Sequence, residues 1–377
     1  GFLSFPEDIF FGAATAAYQV EGAATEGGRK PSIWDEFARR KDATEAGATG
    51  DIACDHYHLF REDVEVMAAL GLQAYRFSIS WSRLLPDGEG EVNEAAVAFY
   101  SGLIDALLAK GITPWVTLYH WDMPSALESE FRGWLGPKKR VSAAFAAYAR
   151  VCFSRFGDRV KHWITLNEPW CSCILGYNNG EHAPGRTEEP WTEPYIAGHN
   201  MLLAHAAAVS VYRSEFAAEQ GGQIGMAFNA DWRQPRDASN PSDVFAAKRA
   251  MDFSLGWFAH PVFFGDYPDC MRSACAERLP TFTKKEQALL KGSSDFFGIN
   301  SYSTNFARPP HKELTGAGYW VDIGVEWWHN DWHWERTDMG WFVVPWGFRE
   351  LLLYIDRTYC PPGGIIVTEN GCAFESE

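Results

Sequence analysis

Short apolar, strand-like runs recur along the 377-residue chain, and an amphipathic, helix-like stretch lies between most of them. That alternation is the pattern of repeated βα units wound around a parallel sheet. The runs are Phe10 to Ala14, Ala74 to Ile79, Pro114 to Tyr119, Trp163 to Asn167, Ile224 to Asn229, Phe296 to Asn300 and Gly364 to Thr368. Helices are expected over His58 to Leu70, Glu94 to Lys110 and Val141 to Phe156, closed in turn by Gly71, Gly111 and Gly157, since glycine is a common helix stop. Asn200 to Glu219 and Trp346 to Tyr359 read the same way. No linker, low-complexity tract or short repeat divides the chain, so one domain, 1–377, is expected.

Polar residues with chemical potential fall at the ends of these runs: Arg76 inside the second, then His120, Asn167 and Glu168, Asn229, Asn300 and Glu369. In a barrel of parallel strands those ends share one rim, where the active sites of that fold sit. Two glutamates carry most weight, Glu168 in His162-Trp-Ile-Thr-Leu-Asn-Glu-Pro-Trp170 and Glu369 in Ile365-Ile-Val-Thr-Glu-Asn-Gly371. A lone glutamate at a strand end is usually a solvated cap. These two stand apart because Asn167 can donate to a hydroxyl, Pro169 ends its strand abruptly, and Asn370-Gly371 makes a turn that exposes the carboxylate. Cleaving a glycosidic bond needs one carboxylic acid to protonate the leaving oxygen and one carboxylate to meet the developing positive charge. The pair lies 201 positions apart, so only a closed fold can bring them face to face.

Composition narrows the partners. The net charge is −16 without a basic run, which disfavours nucleic acid and anionic membrane. Seventeen Trp, 14 Tyr and 26 Phe fit a carbohydrate site, because flat rings stack on sugar C–H faces, although much of this content is core. The eight cysteines show no CxxC pair and read as small buried hydrophobes, with Cys270 to Cys275 the one pairing considered. The opening Gly1 to Pro6 has no charged-then-apolar leader and no apolar stretch approaches ~18 residues. A soluble protein with a cytoplasmic leaning is expected, a leader removed upstream being left open. His329, Asp331 and His333 invite a metal reading, as do His56 and His58, but no distant ligand motif joins them, so no metal and no cofactor is expected. Serine-hydrolase elbows, phosphate loops and dinucleotide fingerprints are missing from the sequence.

Six segments in order give a closer match: Phe11-Gly-Ala-Ala-Thr-Ala-Ala-Tyr-Gln-Val-Glu-Gly22, Tyr75-Arg-Phe-Ser-Ile-Ser-Trp-Ser-Arg83, Leu118-Tyr-His-Trp-Asp122, Thr165-Leu-Asn-Glu-Pro169, Phe297-Gly-Ile-Asn-Ser-Tyr302 and Thr368-Glu-Asn-Gly371. Through them the chain resembles the family 1 glycoside hydrolases, the β-glucosidases and their relatives. The resemblance implies a (β/α)8 TIM barrel and a retaining double displacement on terminal β-D-glucosides, with β-galactosides or fucosides tolerated. It implies Glu168 as acid/base and Glu369 as nucleophile. Gln19, His120, Trp121 and Asn167 would grip sugar hydroxyls, Arg76 and Tyr302 would contact and orient the nucleophile, and Asn300 would belong to its hydrogen-bonding shell. Glu rather than Gln at 168 implies an O-glycosidase rather than a thioglucosidase. Members usually continue past Thr-Glu-Asn-Gly with a further helix and an eighth strand, so an incomplete barrel is expected, completed by a C-terminal segment from a longer product or from another chain. A 6-phospho-β-glycosidase and a non-catalytic carbohydrate-binding barrel are the alternative readings.

Overall fold

The computed structural model describes residues 5–6, 9–328 and 333–374. All seven expected strands form, as β1 Gly12–Ala14, β2 Ala74–Ser78, β3 Thr113–Tyr119, β4 His162–Asn167, β5 Gln223–Asn229, β6 Phe297–Asn300 and β7 Ile365–Glu369. They pair in chain order, every pair parallel, in one seven-stranded sheet. Parallel neighbours need long crossovers, and helices supply them: His56–Ala69 before β2, Glu94–Ala109 before β3, Lys138–Phe156 before β4 and Glu193–Val211 before β5. The sheet curls until β1 and β7 approach within 8 Å at Cα. This is a nearly closed barrel of the (β/α)8 type, with the edges of β1 and β7 not paired to each other.

Alternation along the strands separates two apolar regions. Outward-facing Tyr75 and Phe77, Val116 and Leu118, Met226 and Phe228, and Phe297 and Ile299 join the helices in the main core. Inward-facing Ala74, Trp115, Ile164, Ala227 and Phe296 form a second, small cluster. Trp115 anchors it, stacked on His162 with centroids 4.1 Å apart and edge-on to Phe296 at 5.4 Å. Arg76, Thr117 and Asn300 follow Ala74, Trp115 and Phe296 at even spacing, so they continue the inward face toward the C-terminal rim. The apolar plug therefore forms the floor beneath a polar layer.

Several local expectations change. Gly71 and Gly111 adopt the left-handed conformation of a helix stop, with φ of 74° and 72°. Gly157 instead keeps φ −72°, and its lack of a side chain serves packing: a Cβ there would lie 2.1 Å from the Gln220 side chain. Cys270 and Cys275 are free thiols, as are the other six cysteines. Both sit on the helix Asp269–Cys275, where five positions turn side chains away from each other. His329 and Asp331 of the metal reading lie outside the described residues. Among the described residues no group of three ligating side chains could hold a metal, and no helix is long and apolar enough to cross a membrane.

Candidate active site

Both glutamates sit where a strand slips register. Between β4 and β5, Ile164 pairs with Gly225 but Asn167 pairs with Ala227, so β4 carries one extra residue. Between β7 and β6, Val367 pairs with Ile299 and Glu369 with Asn300, again one residue extra. Such bulges re-aim a side chain at the rim of a sheet. Glu168 then adopts φ 44° and ψ 64° as the residue capping the helix Pro169–Tyr177, and its N–H donates to the Ala227 carbonyl at 2.9 Å. Trp121, at the end of β3, has φ 72°. Left-handed backbone at non-glycine residues costs on the order of 1–3 kcal/mol each and concentrates at functional sites.

A continuous hydrogen-bond network joins the two glutamates. Arg76, on β2, donates from Nη1 to Glu369 Oε1 at 2.6 Å and to the Thr368 carbonyl at 3.2 Å, from Nη2 to Asn167 Oδ1 at 2.5 Å, and from Nε to Thr117 Oγ1 at 3.0 Å. The Tyr302 hydroxyl donates to the other oxygen of Glu369 at 2.7 Å. Asn300 Nδ2 donates to Glu168 Oε1 at 2.8 Å and reaches Asn167 Oδ1 at 3.1 Å, while its Oδ1 accepts from Thr368 Oγ1 at 2.5 Å. Asn167 Nδ2 meets His120 Nε2 at 3.1 Å.

These contacts drive the glutamates to opposite charge states. Burial pushes the Glu168 carboxyl up to about 7, and the negative Glu369 adds to the rise against the hydrogen bonds from Asn300 and Cys171. Burial would lift Glu369 as well, but the Arg76 guanidinium, with the Tyr302 hydroxyl behind it, holds it below the usual glutamate value. Burial also lowers His120 to about 3, so its ring is neutral and Nε2 can accept the Asn167 amide proton. Near neutral pH one rim thus presents a carboxylate at 369 and a carboxylic acid at 168, the two forms that glycoside cleavage needs together.

Eight of the nine expected residues belong to this constellation: Arg76, His120, Trp121, Asn167, Glu168, Asn300, Tyr302 and Glu369. The Trp121 indole N–H is engaged by the Asn167 carbonyl at 2.9 Å. Gln19 stands apart: it follows β1 on the short helix Ala17–Val20, its side chain exposed and outside the network. The motifs gave no notice of an aromatic panel beside Glu168. Trp170 donates through Nε1 to the Tyr319 hydroxyl at 2.7 Å, and Trp320 packs edge-on against both Trp170, at 6.3 Å, and Trp327, at 5.5 Å. The only signal for it was the density of tryptophan.

Comparison with known proteins agrees with the geometry. The glycosyl hydrolase family 1 description matches residues 3–377, and the chain belongs to that family, whose members are retaining β-glycosidases. It is 47% identical over 385 residues to β-glucosidase 6 of Oryza sativa subsp. japonica, covering 98% of this chain and 73% of the relative. It is 46% identical to β-glucosidase 1B of Phanerodontia chrysosporium, covering 99% and 70% respectively. A solved rice β-glucosidase superposes with a TM-score of 0.95 at 46% identity, covering 99% of this chain and 81% of that one. A β-glucosidase from the fungus Humicola insolens in complex with glucose gives 0.93 at 42% identity, covering 99% and 80%.

Proposed function

We propose that this chain hydrolyses terminal β-D-glucosides with retention of configuration, Glu369 acting as nucleophile and Glu168 as acid/base. The observation that carries the reading is the pair of opposed protonation states within one network. Glu369, held ionised by Arg76 and Tyr302, attacks the anomeric carbon while Glu168 gives its proton to the leaving oxygen. Forming the glucosyl ester neutralises Glu369, which removes the charge that helped hold the proton on Glu168. Glu168 leaves this step as a carboxylate and takes a proton from the water that attacks the ester, and glucose departs with both glutamates restored. A rice β-glucosidase mutant solved in a covalent complex with Glc supports the ester intermediate by analogy.

His120 and Asn167 supply sugar-hydroxyl contacts from within the network. Gln19, exposed on the rim, and Trp121, whose N–H is engaged by Asn167, join them by turning toward the sugar. The relatives reported above are β-glucosidases, and neither the phosphorylated-sugar reading nor the non-catalytic one draws comparable support.

The reading extends to the seam. Exposed Phe11 and Val367 flank the unpaired edges of β1 and β7, and a groove of about 500 Å³ runs beside them along Phe348, Leu352, Leu353 and Ile365. Open edges with apolar flanks are normally paired or covered. A strand-bearing segment, from a longer product or another polypeptide, fits this seam as the closing element of the site.

Turnover of an aryl β-D-glucoside tests the reading. The parent chain is expected to act, Glu369→Gln to be inactive, and Glu168→Gln to lose about 10²–10⁴-fold on poor leaving groups. Added azide restores Glu168→Gln on a good leaving group by attacking the ester without base help. Equal rates in parent and Glu369→Gln would remove the proposal.

A further inference from the structure

Three arginines are buried among the described residues, Arg76, Arg83 and Arg233. Arg76 pairs with Glu369 and Arg83 with Glu21, at 2.6 and 2.9 Å. Arg233 is only 7% exposed, yet among the described residues it donates no side-chain hydrogen bond and forms no ion pair. Its Nε is enclosed without an acceptor, whereas the terminal nitrogens, also without a protein acceptor, keep contact with solvent. A buried guanidinium has five donors to satisfy, and leaving it unpaired is costly. The Trp327 ring, 4.3 Å away, supplies a cation–π contact but no acceptor. Asp231 is a nearby carboxylate, but its Oδ1 is engaged by the backbone N–H groups of Tyr302 and Ser303, and burial still pulls the guanidinium below its ordinary value.

The position of Arg233 gives this deficit a meaning. It lies on the short strand Trp232–Pro235, two residues past Asp231, which braces the Tyr302 backbone next to Glu369. Its stacking partner Trp327 belongs to the aromatic panel that continues through Trp320 to Trp170, two residues after Glu168. Glu168 protonates the leaving oxygen, so the ground beside it is where the leaving group lies. Flat rings there receive an aromatic group, and an unpaired cation against the panel attracts an anion. On a protein with a net charge of −16, an anionic leaving group would otherwise be repelled.

Building on the glucosidase reading, we infer that Arg233 and the Trp170–Trp320–Trp327 panel form a leaving-group subsite for aromatic aglycones that bear a carboxylate. Arg233 is a specificity-determining residue there, its terminal nitrogens binding the carboxylate while the rings hold the aromatic body.

The test compares 4-carboxyphenyl β-D-glucoside with its methyl ester in the parent, Arg233→Gln and Arg233→Lys, with thermal melting as a check on folding. Removing one charge-assisted contact is expected to lower the acid-to-ester ratio of kcat/KM at least about 10-fold in Arg233→Gln, with substantial recovery in Arg233→Lys and little change on the ester. Calorimetric binding of 4-hydroxybenzoate and methyl 4-hydroxybenzoate follows the same preference without requiring turnover. A parent that binds the acid no better than the ester, or a variant that loses both ligands equally, would overturn the inference. Ester turnover separately reports on the glucosidase reading, since its failure leaves the binding comparison intact.

Discussion

At the scale of single residues, the site works because one environment treats two identical side chains differently. A bell-shaped pH dependence of kcat/KM is expected, its alkaline limb near pH 7 where Glu168 loses its proton and its acid limb below the ordinary glutamate range where Glu369 gains one. Replacing Arg76 by Gln removes the charge that favours ionised Glu369, so the acid limb should move up and kcat/KM should fall by roughly 10²–10³-fold. An acid limb that stayed in place would assign the ionisation to another group. Stability carries a matching signature. A carboxyl whose pKa is higher folded than unfolded binds protons on folding, so its contribution is most favourable below about pH 4.5 and is lost as pH rises through about 7. Glu168→Gln should therefore be more stable than the parent above pH 7, by on the order of 1–3 kcal/mol, with the difference shrinking toward pH 4.5 in denaturant titrations.

At the scale of elements, the strands were legible because each is a short apolar run ending in polar residues, and periodicity survives any tertiary arrangement. The bulges were not. The extra residues near Asn167 and Thr368 show only against a neighbouring strand, and that neighbour lies far along the chain. The small sheet of Trp232–Pro235, Thr304–Arg308 and Glu326–Trp328 was hidden for the same reason, its first member further masked by Pro235. Arg233 gave no sequence signal because its neighbour Trp327 is remote and the acceptor it lacks is not a motif. Close strand packing makes a further prediction. A Cβ on Gly298 would meet the Met226 carbonyl at 2.6 Å, and that oxygen belongs to a paired strand that cannot yield cheaply. Gly298→Ala should cost about 1–3 kcal/mol and lower the melting temperature, whereas an unchanged melt would mean that the β5–β6 pair adjusts freely.

At the scale of the whole molecule, the seven strands bring distant residues into a single charge-coupled unit. The Arg76 contact to Thr368 spans 292 positions in sequence, a link that the ordered motifs implied only through family resemblance. The same curl leaves the β1 and β7 edges facing each other without pairing, with exposed apolar side chains such as Phe11 and Val367 on those edges. A strand-and-helix segment offered in trans is expected to raise the melting temperature, reduce binding of a hydrophobic dye and increase glucoside turnover. An unchanged melt, dye signal and rate would show that the seam does not take such a segment.

The central claim, that Glu369 forms the covalent bond to the sugar, is tested most directly by trapping the intermediate with a 2-deoxy-2-fluoro-β-D-glucoside carrying a good leaving group, followed by peptide mass spectrometry. The account predicts a single fluoroglucosyl adduct on Glu369, absent from Glu369→Gln. An adduct on Glu168 or any other residue, or turnover of an aryl glucoside without a trappable adduct, would contradict it.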